Sequence, residues 1–181
     1  MSFIKMLSKQ KVDSIARQNR RSSKWFQNRI KEFSKGTRKG QTSRPVIGGL
    51  YSFVYDPKFK NSLPHYDIFP MVMPFSISAD SFLGVNFHYL PPRLRAVLLD
   101  KIVSIHGNKK INDKTKIKLS WGVLNAVAKS SLVSPTVHRY LLGHVRSKII
   151  VIPATEWQMA VMLPLAKFKG ASKLQVYAGD R

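Results

Sequence analysis

The first quarter of the chain cannot build a core. Residues 1–44 hold 13 Lys and Arg against two acids, Asp13 and Glu32, with few apolar side chains after Leu7. Too little apolar surface is present to offset the entropy of ordering such a segment, so an independent fold must lie beyond it. Within it, Ile15, Trp25, Phe26, Ile30 and Phe33 recur at spacings that suit a helix over roughly 22–34, capped by Ser22 or Ser23. Gly36, Gly40 and Pro45 mark 35–45 as a hinge or linker, kept positive by Lys35, Arg38, Lys39 and Arg44. The expected organisation is a basic, partly helical N-terminal arm and linker over 1–44, followed by a single domain over 45–181.

The domain opens with strand patterns. "VIGGLYSFVY" sets Leu50, Ser52 and Val54 on one side and Tyr51, Phe53 and Tyr55 on the other. Gly48-Gly49 lacks a phosphate-loop context and reads as backbone geometry at the strand's start. After the irregular "DPKFKNSLPHYD", the stretches "IFPMVMPF" and "SFLGVNFHYL" predict two more strands, with a turn near Ala79-Asp80 and a bulge at Gly84. Pro70 and Pro74 predict that the middle one is an edge or broken strand.

From Pro91 the period becomes helical. Leu94, Val97, Leu98, Ile102 and Ile105 predict a helix starting at Pro91 or Pro92. A polar loop, "HGNKKINDKTK", separates it from "IKLSWGVLNAVAKSSL", whose Leu119, Val123, Leu124 and Val127 share a face. Ser134-Pro135 predicts a third helix to about Ser147, and the Thr155/Gln158 capping box a fourth, ended by Pro164. The predicted class is α+β: a small antiparallel sheet of three or more strands, then about four helices packed on it.

Charge narrows the partner. The chain carries 31 Lys and Arg against 9 Asp and Glu, a net +22, which opposes compaction unless a polyanion neutralises it. Nucleic acid fits best, and an anionic membrane surface second. No apolar run approaches the roughly 20 residues of a membrane-spanning helix. Without cysteine there are no disulfides and no thiolate metal sites, which fits a reducing compartment. The first 23 residues share the Arg- and Ser-rich, acid-poor character of organellar transit peptides, but the basic composition runs on past them.

Catalytic constellations are not apparent. The domain's carboxylates are Asp56, Asp67, Asp80, Asp100, Asp113, Glu156 and Asp180, few for a two-metal nuclease. Glu32 with Asp56-Pro57-Lys58 only faintly matches an acid plus D-x-K arrangement, and Pro57 suits a turn better. None of His65, His88, His106, His138 and His144 is spaced i, i+4 from a carboxylate, and hydrogen bonding is the expected role of His88 and His144. No catalytic residue, metal or cofactor is expected.

Binding features are plentiful. Arg17, Arg20, Arg21, Lys24, Arg29, Lys35, Arg38 and Lys39 offer charge, and Trp25 a stacking surface. With about six to eight cations on phosphates, duplex binding falls against log salt with a slope of roughly −5 to −7. The alternative is a solvated tail that only maintains solubility. In the domain, Arg93 and Arg95 occupy the start of a helix, where the dipole disfavours cations by roughly 0.3–1 kcal/mol each. Together with the free N–H groups there they would form a phosphate seat; otherwise they simply point to water. Arg139, His144, Arg146 and Lys148 make a second cluster, late in the third predicted helix, where cations are favoured.

The segment from about Pro45 to Tyr177 resembles the DNA end protector proteins of T-even-like tailed phages, through "GGLYSFVYDPK", "LPHYDIFP", "FLGVNFHYLPPRLRAVLLD", "YLLGHVRSK" and "EWQMAVMLP". The resemblance implies a minor virion protein bound at the ends of packaged linear double-stranded DNA. Such a protein enters the host cytoplasm with the DNA and shields it from host exonuclease. Two other classes fit the charge. One is a structural virion protein of the head-completion, neck or baseplate type, whose arm contacts neighbouring subunits or DNA. The other is a ribosomal or organellar RNA-binding protein.

Overall fold

Alternation over Leu50 to Tyr55 creates a strand buried on both faces, with Leu50 in one apolar cluster and Tyr51, Phe53 and Tyr55 in another. A computed structural model describes residues 40–106, 110, 112–128 and 134–178. The strands are β1 (Gln41–Thr42), β2 (Leu50–Ser52), β3 (Tyr66–Asp67), β4 (Met71–Ile77), β5 (Ser81–Asn86), β6 (Val137–Leu141), β7 (Ile149–Ile152) and β8 (Phe168–Lys169). The α-helices are α1 (Pro92–His106), α2 (Asp113–Ala128), α3 (Trp157–Met162) and α4 (Lys173–Ala178). Six strands form an antiparallel sheet in the order β1-β7-β2-β4-β5-β6, and β3 pairs with β8 in a second, two-stranded sheet. The class is α+β, as predicted. β1 lies in the stretch expected as linker, with Thr42 opposite Ile149.

Helices cover one face. Met71, Met73 and Val85 of the sheet pack with Leu98, Leu99 and Ile102 of α1, Leu124 of α2, and Trp157, Ala160 and Val161 of α3. The Trp157 indole donates to the Ile152 carbonyl at 2.8 Å, tying α3 to β7. Along α2 the expected apolar face is only partly used: Leu124 is fully buried, whereas Leu119 is 45% exposed.

The opposite face is covered by the sheet's own chain. Beyond their ladder, β2 and β7 continue as a ribbon in which Tyr55 bridges Val145, Asp56 N donates to His144 O and Arg146 N donates to Val54 O. Leu142 N reaches Asp80 O beside the β4–β5 turn, and Tyr55 Oη accepts from Leu141 N. The ribbon closes over Phe53, whose ring meets Phe82 and Tyr140 edge-on at 5.8 and 5.3 Å. Such pairs add about 0.5–1.5 kcal/mol each to the area they bury.

Three predicted elements differ. β4 is an interior strand between β2 and β5, although it contains Pro74. The register slips between Pro74↔Gly84 and Ser76↔Leu83, so the missing donor falls at a bulge, and the Pro74 carbonyl accepts from Gly48 N. The extra residue belongs to β4, and Gly84 serves a different purpose from the expected bulge. A Cβ on it would collide with Val72 Cγ1 and lie 3.1 Å from the Met73 carbonyl, so glycine permits the close approach of β4 and β5.

The third predicted helix is a correction as well. Ser134–Thr136 makes only a 3₁₀ turn before β6, and Leu142–His144 another after it. Pairing of Phe82↔Tyr140 and Gly84↔His138 outweighs the local cap signal, because it buries Tyr140 against the aromatic cluster. The fourth helix is delayed to Trp157. Ala154–Glu156 is a 3₁₀ turn, and the residue before Trp157 caps without a side-chain bond, so the Thr155/Gln158 box does not form. Neither β7 nor α4 is among the predicted elements.

Candidate nucleic-acid interface

The two arginines of the α1 start go to opposite environments. Arg93 is exposed, whereas Arg95 is buried at 3% exposure. Side chains of a helix lean toward its N-terminus, and Arg95 follows that direction out of the first turn. Its Nε donates to Leu90 O at 2.6 Å, and its Nη2 to His88 O at 3.0 Å and Tyr177 Oη at 2.6 Å. Nη1 donates to Val161 O at 3.2 Å, in the last turn of α3. One guanidinium therefore joins the chain before α1, the end of α3 and the last turn of α4. The expected phosphate seat of Arg93 with Arg95 does not form, because the Arg95 donors are spent on internal carbonyls. Arg93 alone faces outward.

Beneath this lies a buried polar network. Asp67 accepts from His88 Nδ1 at 2.7 Å, from Asn86 Nδ2 at 3.2 Å, and from the N–H groups of Phe69 and Lys167 at 3.1 and 3.3 Å. Burial pushes the Asp67 pKa up, but His88 and these donors outweigh it and hold the carboxyl below its ordinary range. Full burial pushes His88 down, against the pull of Asp67, so it sits as a neutral ring donating through Nδ1. His138 packs 4.3 Å from the Tyr89 ring, and burial pushes its pKa down to about 4. The Nε2 atoms of His88 and His138 have no hydrogen-bond partner among the described residues. The expected hydrogen-bonding role of His88 and His144 is observed, with His144 Nδ1 donating to Asp56 O at 2.9 Å.

A pH dependence of stability follows. The unfolded chain protonates His138 near its ordinary 6.5 and the folded chain only near 4, so the unfolded state binds more protons in between. Stability is complete above that window and is lost as pH falls through it, by about 3 kcal/mol for His138 alone. Lowered Asp67 adds a further loss only at more acid pH, once its carboxylate protonates. Urea unfolding at about pH 7 and about pH 4.5 is expected to show a lower midpoint at acid pH, and His138→Phe to narrow the gap. Equal midpoints in the parent protein would refute a buried neutral His138.

The exposed cations collect elsewhere than sequence order indicates. Arg139 is exposed on β6 beside buried Tyr140, and Arg146 and Lys148 are exposed on the ribbon. Pairing of 54–56 with 144–146 brings Arg146 beside the 57–63 loop, which carries Lys58 and Lys60. Arg44 joins the same corner by donating Nη2 to Ala79 O at 2.7 Å, next to the Asp80 carbonyl that the ribbon also contacts. Asp56 is the acid among them, bonded to Lys60 at 2.9 Å and 3.8 Å from Arg146, and these cations lower its pKa. Lys58 and Lys60 flank Phe59 in "DPKFKN", a stretch that sequence pattern marks only as an irregular connection. Arg17, Arg20, Arg21, Lys24, Trp25, Arg29, Lys35, Arg38 and Lys39, and the helix expected over 22–34, lie outside the described residues.

Among the described residues no group of three or more His, Asp or Glu side chains is placed to hold a metal ion, and no helix is long and apolar enough to cross a membrane. The family model described as phage T4 terminal DNA protecting protein matches residues 1–181, the whole chain. The chain belongs to that family. The resemblance carried by "FLGVNFHYLPPRLRAVLLD" and its companion stretches is thus the right one, and it extends through the basic arm. No curated protein and no solved structure matches the chain. Among the described residues Arg93 and Arg146 are exposed, while Arg95 and the Asp67 network are internal.

Proposed function

We propose that this terminal DNA protecting protein is a non-enzymatic cap on the ends of linear double-stranded phage DNA, shielding them sterically from host exonuclease. The family match over the whole chain carries this reading. The +22 charge supports it, since a polyanion is needed to relieve that surplus. The arm over 1–44, through Arg17, Arg20, Arg21, Lys24, Arg29, Lys35, Arg38 and Lys39, supplies charge that follows the backbone, with Trp25 as a stacking surface. The single domain beyond it adds Arg93, Arg139, Arg146 and Lys148 as fixed contacts. Phosphate contacts of this kind position a protein without reading sequence, as protection of any given end requires. The protein travels in the virion, beside other virion proteins, and acts in the host cytoplasm after DNA entry.

An exonuclease-protection assay on linear duplex DNA, with a covalently closed circle as competitor, tests the proposal. Protection at about one protein per end, with poor competition by the circle, is the expected result. Equal competition by the circle overturns end capping and favours a structural virion protein.

A further inference from the structure

Cations alone do not distinguish a DNA end from internal duplex, because the phosphate array is nearly the same in both. An end differs in exposing the flat apolar face of its last base pair. Resting on the end-capping function above, we propose that Phe59 recognises that face by stacking on the terminal base pair, while Lys58 and Arg146 hold the flanking phosphates.

Phe59 is 66% exposed, and single exposed apolar residues are common on protein surfaces. Its setting is what makes it a reader of ends. The ring stands between Lys58 and Lys60, and the Lys58 ammonium lies 5.4 Å from its centroid. Two successive turns fix it: Lys60 N donates to Pro57 O at 3.3 Å, while Ser62 donates to Phe59 O through N at 3.0 Å and Oγ at 2.9 Å. The loop springs from the paired 54–56 and 144–146 ribbon, and Lys60 is anchored at its base by both oxygens of Asp56, at 2.9 and 3.2 Å. An exposed aromatic ring is thus carried on a hydrogen-bonded turn with cations on both sides. The local charge is positive: Lys58, Lys60 and Arg146 against Asp56 leave a surplus of two, from three cations less one acid. Cations beside an aromatic platform are the chemistry that holds exposed nucleic-acid π faces.

The test uses the full-length protein and Phe59→Ala, Phe59→Trp and Lys58→Gln variants. Binding is measured to a blunt linear duplex carrying 2-aminopurine at its terminal position, and to a relaxed closed circle. The wild type is expected to change the terminal 2-aminopurine fluorescence and to prefer the linear form. Phe59→Ala should lose that fluorescence change and at least about fivefold of its affinity for ends, with its affinity for the circle unchanged. Phe59→Trp should restore both, whereas Lys58→Gln should weaken linear and circular DNA alike. Retained end preference in Phe59→Ala overturns the stacking proposal and leaves the capping function standing. If the wild type itself binds circle and linear DNA equally, both are overturned. Thermal unfolding of Phe59→Ala should match the wild type, since the ring is largely exposed.

Discussion

Arg95→Ala is expected to destabilise the protein by about 3–5 kcal/mol, because buried acceptors left without a donor cost roughly 1–3 kcal/mol each. The guanidinium donates to the carbonyls of Leu90, His88 and Val161 and to Tyr177 Oη, so its loss strands four acceptors in three segments at once. Burial lowers its pKa, yet an arginine remains charged at neutral pH, so the penalty does not depend on titration there. Arg95→Lys should recover only a small part, because an ammonium lacks the planar fork that meets Leu90 and Val161 simultaneously. Arg93→Ala, two residues away and exposed, should change stability by less than about 0.5 kcal/mol. Urea midpoints of the three variants measure this contrast; equal losses at Arg93 and Arg95 would contradict the described geometry.

Raising salt from about 50 to about 200 mM is expected to weaken duplex DNA binding by roughly 10³–10⁴-fold, if about seven cations meet phosphates. Most of that dependence is assigned to the arm. Replacing Arg20, Arg21, Lys24 and Arg29 together by Gln should flatten the slope of log affinity against log salt by about 3–4, at roughly 0.9 per phosphate contact. Arg146→Gln should remove at most about 1, since Asp56 already shares its charge. Fluorescence anisotropy with a labelled duplex over a salt series reads both slopes. An unchanged slope in the fourfold variant would remove the arm from the interface.

Local pattern carried much of the fold. Alternation in "LYSFVY" revealed a strand, whose two faces both prove to be buried, and the Ala79-Asp80 turn, the α1 start and the end of α3 before Pro164 followed from turn and cap chemistry. Local pattern failed where distant partners intervene. Val137 to Leu141 has a helix cap before it, yet it pairs with β5, which lies more than 50 residues earlier in the chain. Pro74 indicates an edge by its own chemistry, but a bulge opposite Gly84 places it inside the sheet.

The candidate site divides in the same way. Net charge, its concentration toward the arm, the absence of cysteine and the family resemblance are properties of the chain as written, because composition does not depend on which residues become neighbours. Which cations face outward was a tertiary decision. Arg93 and Arg95 are two residues apart on α1 and equivalent in composition, but the end of α3 and Tyr177 lie within reach of only the second. Arg146 is distant in sequence from Lys58 and Phe59 and comes beside their loop because the ribbon pairs 54–56 with 144–146. A sequence specifies how many charges a protein has; the long-range contacts of the folded chain determine which are buried as struts and which remain to meet a ligand.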